Sequence, residues 1–128
     1  MSFTVRKRLV VDDGAGGISL TGLVSAIADK RTHFTKSIAG SAVDVQLDVP
    51  VELANIVGFA LAATGALTVK TNDSVAPDDT FSLTATDPTL WVYGEVASVP
   101  LSQDITSIYV TNPGATAVVL TLFAAHTV

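Results

Sequence analysis

The sequence contains two histidines, twelve Asp and Glu residues and no cysteine. The missing cysteine removes thiolate nucleophiles, thiolate zinc sites and disulfides together. General acid–base chemistry needs a titratable group set beside a partner. His33 stands next to Arg31 and Phe34 on a strand or turn, and His126 stands close to the last residue given, where groups are seldom held rigidly. There is no HExxH, no histidine pair at ligand spacing and no nucleophile elbow. Gly14-Ala15-Gly16-Gly17 follows a strand, but it lacks the lysine and hydroxyl of a phosphate loop and the third glycine of a dinucleotide fingerprint. It reads as a turn. Asn72, Asp73, Asp78 and Asp79 could offer oxygens to calcium, yet these residues also build turns by bonding their own backbone, and EF-hand order is absent. The reading is a non-enzyme with no cofactor and no metal.

Any site must rest on strands. Phe3, Val5, Leu9 and Val11 alternate with Thr4, Arg6 and Arg8, with Lys7 breaking the apolar face. Ile18–Ile27 is open between a short helix over residues 19–27 and a strand, because Leu20, Leu23, Val24 and Ile27 fall at helical spacing. Asp29–Arg31 reads as a turn and His33–Ala39 as a strand. Val43, Val45, Leu47 and Val49 alternate with Asp44, Gln46 and Asp48 until Pro50. Ile56–Ala62 is apolar on both faces, as in a central strand. Short alternating runs follow at Leu67–Lys70, Phe81–Thr86 and Leu90–Tyr93. Ile105–Thr111 and Thr116–Ala124 flank Asn112-Pro113-Gly114, which predicts a hairpin with a type II turn. The pattern is all-β: one domain over residues 1–128, an antiparallel β-sandwich of jelly-roll kind, with residues 1–12 either a docking arm or part of the sandwich.

Hydrophobic residues make up 48% of the chain and charged residues 15%, against about a quarter charged in an average domain. No run approaches the roughly 20 residues of a membrane span, and the apolar run after Arg8 is too short for a signal peptide. The surplus implies a covered face, hence a homo-oligomer. Trp91 and Tyr93 share one face of a strand, suited to burial, an interface, or stacking on a sugar or base. With Val119 and Phe123, on the second apolar face of the last strand, they are the candidate oligomer interface. The first 36 residues hold six of the seven basic residues and are net +3, whereas the rest is net −8. That balance argues against nucleic acid as partner and suits docking by the N-terminal segment.

The stretch Thr71-Asn72, Ala76-Pro77-Asp78-Asp79-Thr80, Leu90-Trp91-Val92, Pro100-Leu101 and Asp104–Asn112 resembles the C-terminal half of small virion proteins of tailed bacteriophages, similar to head decoration or cement proteins. The resemblance covers a little under half of the chain and rests on turns and strand ends. It implies a β-sandwich or jelly-roll subunit, often trimeric, made in the host cytoplasm and seated on the head surface of the virion. The partner it implies is the major capsid protein. Phe3, Val5, Arg6, Lys7 and Arg8 are then the candidate docking strand, adding to the capsid protein by main-chain hydrogen bonds while the charges fix register. A tail, neck or fibre component, or a carbohydrate- or calcium-binding β-module, is the alternative.

Overall fold

The computed structural model describes residues 2–12, 19–95 and 97–127; the glycine-rich turn at 14–17 lies outside them. Among the described residues ten strands run in chain order: β1 (Phe3–Asp12), β2 (Ser19–Ala28), β3 (Lys30–Ile38), β4 (Val45–Val51), β5 (Ile56–Ala63), β6 (Leu67–Thr71), β7 (Thr80–Leu83), β8 (Thr89–Val92), β9 (Ile105–Thr111) and β10 (Val118–His126). The last eight form two four-stranded sheets, β3-β10-β5-β8 and β4-β9-β6-β7. Every pairing is antiparallel. The chain passes back and forth between the sheets, pairing first strand with last, which is jelly-roll topology. The fold class read from the strand pattern is therefore correct.

The core lies between the two sheets. Phe59, Leu61, Leu120 and Leu122 meet Leu67, Val69, Leu83, Ile108 and Val110, all nearly inaccessible. Alternation places them: in β10, Val118, Leu120, Leu122 and Ala124 are buried while Val119, Thr121 and Phe123 take the other face. Near the end of β10 the register shifts, pairing Ala125 with Gly58 but His126 with Ile56. The extra residue, Val57, turns to the outer face, while Ile56 and Phe59 both enter the core.

Three local expectations need correction. Residues 19–27 are strand, not helix: β2 pairs with β1 from Phe3↔Ala28 to Asp12↔Ser19. The helical spacing of Leu20, Leu23, Val24 and Ile27 is incidental, since Gly22 and the β-branched Thr21, Val24 and Ile27 favour extension, and β1 supplies a partner. The segments around Asn112–Gly114 are not a hairpin. β9 pairs with β4 and β6, and β10 with β3 and β5, so the connection crosses between sheets. Among the described glycines only Gly94 has positive φ, so Gly114 does not make the predicted type II turn. Instead buried Asn112 holds the crossing: its Nδ2 donates to the carbonyls of Ile38 (3.2 Å) and Thr116 (2.8 Å), and its Oδ1 accepts from the Gly114 N–H (3.0 Å). Finally, Pro50 lies inside β4, at the irregularity between Asp48 and Val51. β4 is an edge strand, where a missing N–H costs no ladder bond.

Candidate functional site

The β1–β2 hairpin belongs to neither sheet. It lies against the outer face of β3-β10-β5-β8, and three side chains of β1 mark its path. The Phe3 ring meets Phe123 of β10 edge-on, with centroids 6.4 Å apart. Val5 lies over Gly58 of β5, so close that a Cβ on Gly58 would come within 2.7 Å of it. Lys7 reaches β8, donating to the Leu90 carbonyl (2.9 Å) and pairing with Glu95 (2.9 Å). β1 thus crosses the sheet from an inner strand, β10, to its edge strand, β8. Ala26 and Ala28 of β2 complete the contact, with Val57, Ala125 and Phe123 beneath them.

This packing explains the second apolar face of β5 and β10. Gly58 is small because another layer comes close, and Phe123 is apolar because Phe3 covers it. Part of the apolar surplus is therefore used within the chain. A cleft of about 250 Å³ remains between β1 and the sheet, lined by Val5, Lys7, Ala60, Leu90 and Phe123 among others. It is predominantly hydrocarbon, and its lysine is already committed to Glu95 and Leu90. Such a lining offers contact area, not acid–base chemistry.

The candidate docking residues separate. Phe3 and Val5 face their own sheet. Lys7 is a clasp: Glu95 is only 10% exposed in its side chain, so the pair is more sheltered than an ordinary surface bridge. Arg6 points away from the sheet, on the same exposed hairpin face as Thr4 and Ile27. The side chain of Arg8 lies outside the described set. Beyond Lys7 the ribbon continues for five more residue pairs, Arg8↔Leu23 to Asp12↔Ser19. At roughly 3.4 Å per residue that is about 17 Å of further reach.

The candidate interface residues separate too. Trp91 faces inward, is 8% exposed, and donates its indole N–H to the Ala97 carbonyl (3.0 Å). Tyr93 follows the strand and is exposed. Val119 is partly exposed on the outer face, and Phe123 lies between Phe3 and His33. The structure does not gather these four into one surface.

The acidic loop is a folding knot. Asn72, at φ 66°, uses its side-chain oxygen to accept the Thr106 N–H (2.8 Å), and its Nδ2 donates to Asp78 (2.7 Å) and the Asp104 carbonyl (2.7 Å). Asp73 accepts the N–H groups of Val75 (2.7 Å) and Ala76 (3.1 Å), which hold its carboxyl below the usual range. Asp79 accepts from Ser102. Among the described residues no three His, Asp or Glu side chains gather as a metal site.

Two features escaped sequence reasoning. One is the Lys7–Glu95 clasp, whose only sequence signal was Lys7 interrupting an apolar face. The other is His126, which is 1% exposed despite its position near the last residue given. No protein-family model, no curated protein and no solved structure matches this chain.

Proposed function

We propose that the chain is a non-catalytic structural subunit of a phage virion, a decoration protein that binds the outside of the head and stabilises it. The observation that carries this reading is the hairpin. Its base is packed and clasped to the jelly roll, while five further residue pairs continue beyond the clasp. A two-stranded ribbon is marginal by itself, so its outer part gains stability from a partner. Arg6 and the sequence-adjacent Arg8 place two positive charges at the root of that arm, suited to an acidic patch on the major capsid protein, while Asp12 and Asp13 follow further along the sequence. The jelly-roll body and the resemblance from Asn72 onward support the same assignment. Homo-oligomerisation, with a trimer favoured, would cover remaining exposed apolar side chains such as Leu90, Val119 and Tyr93. Trp91 lies in the core, which takes away the aromatic platform a sugar-binding module would use.

Lys7 and Val24 are register partners, so the arm can be shortened cleanly. Joining them through Asn-Gly, in place of residues 8–23, closes a two-residue turn and keeps the packed base. The shortened protein should keep the melting temperature of the parent within a few degrees and lose binding to empty capsid shells. Undiminished shell binding by a folded variant would remove the arm from the proposal.

A further inference from the structure

We infer that His126 is an acid-sensitive latch: its neutral imidazole closes the junction between the hairpin root, β3 and the β4–β5 loop, and taking up a proton opens that junction.

The geometry is that of a keystone. His126 ends β10 at the register shift, pairing with Lys30 on one side and Ile56 on the other. Its carbonyl accepts the N–H of Asp29 (2.8 Å), the residue between β2 and β3. Its Nε2 accepts the N–H of Glu52 (3.3 Å), just after β4. The next residue, Thr127, donates its N–H to the Asn55 carbonyl (2.9 Å), which fixes the strand end to the same loop. Three segments distant in sequence therefore meet on one residue that is 1% exposed.

This arrangement requires the neutral ring. Because Nε2 accepts, the ring proton sits on Nδ1, and Nδ1 is buried without a hydrogen-bond partner. Protonating Nε2 would turn the Glu52 N–H contact into donor against donor. It would also place a cation in a buried position with a second unsatisfied N–H. The charged groups facing the ring are Lys30 from β3 and Glu52 from the β4–β5 loop, which pair with each other at 3.4 Å. Asp29 and Arg31 flank Lys30 and are exposed.

Burial lowers the imidazole pKa below its ordinary 6.5, the Lys30 charge lowers it further, and Glu52 opposes both. The sign follows. Below pH 6.5 an opened junction takes up a proton that the closed one resists, so the closed form is fully favoured above 6.5 and loses stability as pH falls. The latch concerns the attachment of the hairpin to its own sandwich and holds whatever partner the hairpin meets.

Hydrogen exchange on the full chain tests it. After correction for intrinsic rates, amide protection at Asp29 and Glu52 should fall as pH drops below 6.5, with a slope of at most about tenfold per pH unit, the limit for one proton, and level off once the closed form is itself protonated. Protection at Val69 and Val110, in the other sheet, should hold. In His126→Gln, whose amide oxygen can still accept the Glu52 N–H, the pH response should vanish. Flat wild-type protection, or an unchanged response in His126→Gln, overturns the latch. Should that variant fail to fold, NMR titration of His33→Asn, which leaves one histidine, decides. The inference expects a midpoint below 6.5 with the Asp29 and Glu52 amides shifting alongside; a midpoint at or above 6.5, or unmoved amides, overturns it.

Discussion

Lys7 and Asn72 show how single polar groups hold this molecule together. Lys7 satisfies a carbonyl on an edge strand and a sheltered carboxylate at once. Edge strands are commonly guarded by lysine, and here the guard also anchors another layer. Lys7→Met removes both contacts and leaves Glu95 unpaired, so urea unfolding should show a loss of about 1–3 kcal/mol. Changing Glu95 to Met as well should recover part of it, because the stranded carboxylate is gone. Equal stability of Lys7→Met and the parent would show that the clasp is decorative. Asn72 combines left-handed backbone with a side chain that bridges two loops. Asn72→Ala should cost about 2–3 kcal/mol, and Asn72→Gly less, since glycine tolerates that φ but restores no hydrogen bond. If the glycine variant were the less stable of the two, the backbone contribution would be wrong.

At the scale of elements, the hairpin and the sheet beneath it form one unit, and Gly58 is where they come closest. Gly58→Leu would drive a side chain into Val5, which is β-branched and cannot move far. The hairpin base should lift, leaving residues 2–12 open to limited proteolysis while the sandwich keeps its far-UV spectrum. Unaltered protease resistance would contradict the layered packing. Strands were legible in the sequence where β-branched and aromatic residues gather between turn signals: Ile105–Thr111 was placed with its observed limits, and the fold class followed from strand spacing. β2 was ambiguous because its apolar spacing satisfies two periods, and only pairing with β1 decides between them. The connection at Asn112–Gly114 was misread because turn chemistry specifies a reversal of the chain but not which sheet receives the next strand. The covering of β5 was half legible: apolar residues on both faces said that something lay above, and nothing local said that it was the N-terminal hairpin.

At the scale of the whole molecule, charge and apolar surface remain to be matched with neighbours. The hairpin accounts for the outer apolar residues near Val57, Phe123 and Ala125, while Ile27, Leu90, Tyr93 and Val119 stay exposed. If these serve subunit contacts, sedimentation at micromolar concentration should give a trimer or another closed oligomer. A stable monomer there would confine the apolar surplus to the hairpin interface. The candidate site was legible as a basic, alternating N-terminal segment. Its division of labour was not, because Phe3, Val5 and Lys7 turn inward and Arg6 outward only once the hairpin has a sheet to cross. The central claim is that this arm fastens the jelly roll to the outside of a capsid. Cryo-electron microscopy of empty shells incubated with the protein tests it most directly. The account predicts jelly-roll density on the outer shell surface, with a two-stranded arm touching the capsid protein, and bare shells when residues 8–23 are replaced by Asn-Gly. Bare shells with the intact protein, or equal decoration by the shortened one, would contradict it.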